Sequence, residues 1–224
     1  YFSPKTRDYF ADEFITSYRG ILILLMQKHL EYQVVTPRTL AEFQGSTLVL
    51  PDVRVLDDNE KASLQKYVSG DHMLVLTGSN ATGLAASANV VEINDDPGRE
   101  YFSLLKENFE GASPDQEQAF LDKLKSASSI RVIASPMVAT SISRVEGAPH
   151  VFFANFAGLV GGKNMVQTPQ KGVQVQVDGL SRACGFFLPF LGEVSKVNGV
   201  AGNGGVTFDL PPIEKGGVFW WERR

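Results

Sequence analysis

Cysteine is nearly absent, with one residue, Cys184, in a chain of 224. A single thiol closes no internal disulfide and builds no Cys-rich zinc site, so any core must hold by packing. Histidine is scarce too: His29, His72 and His150 stand far apart and make no metal-ligand spacing. No metal site and no cofactor is expected. The longest apolar run, Ile21-Leu22-Ile23-Leu24-Leu25-Met26, is far short of the ~20 residues a membrane-spanning helix needs. No signal peptide is recognisable. Charge of one sign is also lacking. Twenty-five acids against 21 bases give a net charge of -4, which disfavours nonspecific binding to nucleic acid or an anionic membrane. No Met precedes Tyr1-Phe2-Ser3-Pro4, and the chain reads as a processed or excised piece of a larger protein.

What is present is ordinary for a folded chain: 43% hydrophobic, 21% charged and 10% aromatic side chains. That balance excludes disorder, collagen and coiled coil. The length suits one large domain or two small ones, and a core of useful size can be buried without covalent staples.

Helical and strand patterns alternate over residues 1–146. Phe14, Tyr18, Ile21, Leu22, Leu25 and Met26 recur at helical spacing and predict a helix over about 12–30. Tyr32 to Val35 reads as a short strand and Thr39 to Phe43 as a short helix. The runs Thr47 to Leu50 and Met73 to Thr77 read as strands buried on both faces of a parallel sheet. Asp57 and Glu60 form a capping-box-like helix start. Val90 to Ile93 and Ile130 to Ile133 are further strands, with helices from Pro97 to Phe109 and Asp115 to Ser126 between them. Strands alternating with helices predict an α/β domain with a doubly wound parallel sheet.

Over 147–224 the period changes to two. Val173, Val175 and Val177 alternate with Gln174, Gln176 and Asp178. Glycine clusters separate further strands around His150–Phe156, Phe186–Leu188, Glu193–Val197, Val206–Leu210 and Val218–Trp221. A small antiparallel β-sandwich domain is expected.

Candidate chemistry is thin. The loop Gly78-Ser79-Asn80-Ala81-Thr82-Gly83 follows a buried strand, where open α/β sheets hold ligands. It lacks the Lys-Ser/Thr of a phosphate loop and the G-x-S-x-G form of a hydrolase elbow. His72 precedes the strand, on the order of 20 Å from Ser79 along extended chain, so these two make no Ser–His pair. A plain glycine-rich turn is the simpler account; a ligand loop, vestigial or real, using Gly78, Ser79, Asn80 and Gly83 is the other. Cys184 reads as a buried structural residue. Asp96 with Pro97 reads as a helix cap rather than a metal or acid group. No spacing forces the carboxylate pair of a glycosidase. Trp220 and Trp221, adjacent on a strand, must face opposite ways. One can fill the core while the other serves an interface or stacks on a sugar.

The order of these pieces resembles a known family. The helix with Tyr18-Arg19-Gly20 is followed by Glu31-Tyr32-Gln33-Val34-Val35, Leu48-Val49-Leu50-Pro51, and the run from Leu64 through Tyr67-Val68-Ser69-Gly70-Asp71-His72 to Val75. This is similar to the glutamine-amidotransferase-like, flavodoxin-like β-galactosidase trimerisation domain of bacterial glycoside hydrolases. Ser3 to Thr6 then looks like the loop after a first strand, and Gly70-Asp71 stands where the family has a glycine pair. Phe152 to Phe156 and Leu210 to Val218 look like the small C-terminal β domain of such enzymes. The resemblance implies that catalytic carboxylates lie in a preceding barrel domain. It also implies that amidotransferase chemistry is absent, because Thr77-Gly78-Ser79-Asn80-Ala81 has no Cys where the amidotransferase elbow has one.

The expectation is a non-catalytic accessory or oligomerisation region of a glycoside hydrolase, partnered by an upstream catalytic domain of the same polypeptide and by copies of itself. Two alternatives stand beside it: a free-standing hydrolase using the Gly78–Gly83 loop, and a carbohydrate-binding module using Trp220 or Trp221.

Overall fold

The computed structural model describes residues 1–79, 82–84, 87–107, 114–125, 128–181, 183–202 and 204–223. The chain divides into two compact units, Tyr1–Leu24 with Gln33–Ala127, and Leu25–Tyr32 with Ser128–Arg224.

In the first unit, α1 (Pro4–Tyr9) is capped by Ser3, whose side chain accepts from the Thr6 N–H, with Pro4 at the first helical position. The segment from Ser3 to Thr6 is therefore a helix start rather than a loop after a strand. The apolar stripe of α2 (Ala11–Gln27) buries Phe14, Ile21 and Leu24. The helix stops three residues short of the expected end, and His29 beyond it has a left-handed φ of 58°. Tyr32 to Val35 pairs in no ladder; only Val35 is buried, and its carbonyl accepts from the Phe2 N–H. The expected helix from Thr39 to Phe43 is a 3-10 turn, Leu40–Glu42.

β1 (Thr47–Pro51), β2 (Met73–Thr77) and β3 (Val90–Ile93) form a three-stranded parallel sheet in that order. From Leu74 to Thr77 every residue of β2 is buried, as a sheet covered on both faces requires. Between β1 and β2 runs α3 (Asp58–Ser69), where Asp57 and Glu60 close a complete capping box. α4 (Pro97–Glu107) and α5 (Pro114–Leu121) follow β3. Phe14, Leu48, Leu50, Leu64, Leu74 and Leu76 form the centre of this unit's core, each such burial contributing about 2 kcal/mol. A Cβ on Gly20 of α2 would strike the Gly98 carbonyl of α4, and one on Gly98 would strike the Ser17 carbonyl. Glycine at both positions is what lets these helices touch.

Among its described residues the second unit carries eight strands: β4 (Ile130–Ile133), β5 (Val138–Val145), β6 (Ala148–Asn155), β7 (Gln174–Asp178), β8 (Ala183–Pro189), β9 (Ser195–Gly202), β10 (Gly205–Asp209) and β11 (Gly216–Arg223). They make one antiparallel sheet in the order β4-β7-β10-β9-β8-β11-β6-β5. The sheet curls on itself, so Val132, Val151, Phe153, Val175, Phe187, Phe208, Phe219 and Trp221 share one core. The curl is located in β9. Residues 195–198 pair with β8 and residues 199–202 with β10, which is how a strand turns the corner between two packed layers. Gly199 stands at the change, where a Cβ would collide with Val206.

Two expectations change here. Ile130–Ile133 does not extend the parallel sheet, as the expected doubly wound arrangement would have it, but pairs antiparallel with β7. Its buried-exposed-buried-exposed pattern, with Arg131 facing out, is that of a strand wet on one face. Second, Glu146 and Gly147 have φ of 50° and 82° and join Val145 to its partner Ala148. They form the tight turn of the β5–β6 hairpin, so the architecture changes at Ser128 rather than at the expected junction of 146 and 147.

Candidate functional site at the carboxyl ends of the parallel strands

Open α/β sheets place ligands beyond the carboxyl ends of their strands, and this chain gathers charge there. Asp52 directly follows β1, fully buried and in a left-handed conformation with φ of 47°. Its N–H donates to the Thr77 carbonyl, 2.9 Å away, at the end of β2. One carboxylate oxygen accepts from Arg54 Nε at 3.2 Å and from the Ser79 N–H at 3.0 Å. The other accepts from Arg54 Nη2 at 2.9 Å and Arg99 Nη2 at 3.3 Å. Arg54 continues outward to Glu13 at 2.6 Å, with its guanidinium over the Phe10 ring at 4.7 Å. The bond to Asp52 is the main cause that raises the Arg54 pKa further above its already high value.

On the other side Arg99 Nε meets Asp96 at 3.2 Å. Asp96 also caps α4, accepting from the Arg99 N–H at 3.0 Å and the Ser17 hydroxyl at 2.7 Å, so its expected role as a cap is present. Burial, and then the charges of Asp95 and Asp96, push the Glu100 carboxyl up. The whole is a ladder of alternating sign, Glu13–Arg54–Asp52–Arg99–Asp96, lying across the strand ends.

Gly78 fits beneath this ladder. It has φ of 70°, its N–H donates to the Asp95 carbonyl at 2.9 Å, and a Cβ there would sit 3.0 Å from an Asp52 oxygen. Ser79 is exposed, and its main-chain N–H is held by Asp52. Gly83 is exposed with φ of 65° and open space around it. Asn80 lies outside the described residues. His72 sits at the far end of β2 from Ser79 and stacks on Tyr67 with centroids 4.7 Å apart. Geometry thus brings Gly78 and Ser79 to the strand ends, but what meets them is a carboxylate already bonded to two arginines. Both oxygens of such a group already accept from donors, which leaves little for a metal ion. Sequence reasoning missed Asp52, Arg54 and Arg99. The available signal was an acid placed just after the strand-ending Pro51, with arginine two residues on.

The tryptophans separate as strand alternation demands. Trp221 is buried, its ring 5.9 Å from Phe219 in the core. Trp220 faces the opposite side. Its ring lies between His150 of β6, 5.7 Å away and tilted 15°, and Phe186 of β8, 5.7 Å away and tilted 20°. Both ring faces therefore have a neighbour. Stacking on a pyranose needs a free ring face, so this arrangement speaks against Trp220 as a sugar platform. Cys184 is buried and free.

No protein-family model and no curated protein matches the sequence. Among solved structures the chain is similar to alpha-L-fucosidase isoenzyme 2 from Paenibacillus thiaminolyticus, with a TM-score of 0.68 at 11% identity. The match covers 93% of this chain and 45% of the fucosidase chain, so it spans less than half of that protein. Weaker likenesses are to the apo exo-carrageenase GH42 from Bacteroides ovatus and to Gan42B, a GH42 beta-galactosidase. Their TM-scores are 0.36 and 0.43 at 10% and 11% identity. They cover 90% and 94% of this chain and 26% and 36% of theirs. At these identities the fucosidase match shows a shared fold.

Proposed function

We propose that this chain is a non-catalytic accessory region of a glycoside hydrolase-like protein, serving assembly rather than chemistry. The observation that carries the reading is the closed ion-pair ladder at the strand ends. Where a wound α/β domain would leave room for a ligand, Asp52 is shared between Arg54, Arg99 and the Ser79 N–H. The fold it shares with 45% of a fucosidase chain supports a role beside a catalytic domain. On this reading that domain carries the carboxylates, and the first unit corresponds to the amidotransferase-like trimerisation domain named by the resemblance.

The test is turnover. The purified chain is incubated with a panel of aryl glycosides and with glutamine, beside the Ser79→Ala variant. No release above the blank is expected from either. Turnover by the parent chain that Ser79→Ala abolishes would overturn the reading in favour of a free-standing hydrolase.

A further inference from the structure

The face of the antiparallel sheet turned away from its core is not uniformly wet. Register sets β6, β11 and β8 side by side, with Phe152, Val218 and Leu188 abreast in one row and His150, Trp220 and Phe186 in the next. On the flanks the same face is polar, with Ser141 and Ser143 on β5 and Lys196 and Asn198 on β9. Antiparallel sheets normally carry polar side chains on a solvent face. An apolar centre inside a polar border is instead the anatomy of an interface.

Phe152 and Leu188 are 37% and 38% exposed, and at the end of β8 Phe190 and Leu191 are 71% and 70% exposed. Together with the edges of Trp220, Phe186 and His150 these leave an apolar area on the order of 500 Å². That is a fair apolar centre for a contact burying about 800 Å² per partner. The central rows carry no formal charge, and charges of both signs stand at their border. Lys196 lies abreast of Phe186, and Glu222 follows two residues after Trp220 on the same face.

We infer that this face binds a second copy of the chain, sheet against sheet about a two-fold axis, with the Trp220 row at its centre. A two-fold contact sets the same patch against itself. It needs an uncharged centre and a rim that is its own electrostatic complement, and Lys196 of one copy opposite Glu222 of the other supplies that. The stacked rings present edges rather than faces, which suits edge-to-face packing against a like row and not a sugar. The inference rests on the accessory reading above and adds to it a self-contact on the second unit.

Sedimentation velocity of the full chain over a wide concentration range tests it, with circular dichroism to check folding. A reversible dimer is expected. Leu188→Lys, placed on an already half-exposed side chain, weakens it about tenfold or more while the chain stays folded. Lys196→Glu and Glu222→Lys each weaken the dimer, and the double exchange restores it. A monomer throughout, an oligomer indifferent to Leu188→Lys, or a monomer whose tryptophan fluorescence is saturably quenched by oligosaccharide would each overturn the inference. None of these touches the non-catalytic part of the accessory reading, which the turnover assay decides.

Discussion

Asp52→Asn removes one charge from the centre of the strand-end ladder while changing little else. Asparagine keeps an acceptor for the Ser79 N–H and tolerates the left-handed φ of 47° at this position. What is lost is the negative partner of Arg54, whose side chain is 19% exposed, and of Arg99, which is 43% exposed. Removing one member of a buried ion pair costs about 3–5 kcal/mol. Water reaching Arg99, and the remaining ion pairs of Arg54 with Glu13 and Arg99 with Asp96, reduce that here to about 2–4 kcal/mol. For a chain of this length each kcal/mol corresponds to roughly 2–4 °C in Tm, so the variant should melt on the order of 10 °C lower, with a lower urea midpoint and an unchanged m-value. A catalytic or ligand-binding carboxylate behaves in the opposite way, since replacing a strained functional group commonly stabilises a protein. An Asp52→Asn chain as stable as the parent, or more stable, would refute the view that these charges exist to hold the strand ends shut.

Gly20→Ala, which sets a Cβ against the Gly98 carbonyl, should cost about 1–3 kcal/mol in urea unfolding as α2 and α4 are forced apart. Asn155→Ala should cost about 3 kcal/mol. Its buried amide donates to the Thr168, Ile213 and Glu214 carbonyls at 2.9, 2.9 and 2.7 Å, and its oxygen accepts from the Ala157 N–H. A chain prepared with Tyr1 as its first residue has a buried α-amino group whose pKa falls from 8.0 to about 5 through loss of hydration. The unfolded chain then holds more protons between those values, so stability is full above pH 8 and falls by about 4 kcal/mol as the pH drops towards 5. Denaturant midpoints of this chain and of one extended by a residue ahead of Tyr1, compared at pH 8.5 and 5.5, check it; the extended chain should lose less.

Periodicity made much of this fold legible. The unbroken apolar runs of Thr47–Leu50 and Met73–Thr77 are parallel strands, Asp57 with Glu60 is a capping box, and Val175 and Val177 point into a core while Gln174 and Gln176 do not. What failed was assignment of elements to sheets. Ile130–Ile133 follows helices, so sequence order puts it in the wound sheet. Its alternation around Arg131 was the better guide, because partner choice depends on which faces are wet. Tyr32 to Val35 has strand residues but no partner strand among the described residues, and propensity without a neighbouring strand fixes nothing. Of the candidate site, Gly78 and Ser79 could be placed beyond a buried strand. The ladder that meets them could not, since Glu13, Asp52 and Arg99 are far apart in the chain and only folding brings them together. For Trp220 and Trp221 alternation gave the opposite facings, while the covering of Trp220 by His150 and Phe186 needed the register of three strands.

Strand ends held shut by these charges admit no ligand, and that is open to direct measurement. Any molecule that binds the folded chain raises its Tm, by about 2.7 kcal/mol of stability at a hundred times its dissociation constant. Thermal unfolding of the parent chain is therefore followed against rising concentrations of monosaccharides, oligosaccharides, inorganic phosphate and glutamine. The prediction is that none of them gives a saturable rise, only the gradual drift that excluded solutes cause. A saturable rise in Tm with one of them, lost in Arg99→Gln, would mean that the ladder opens to a ligand and would contradict the account.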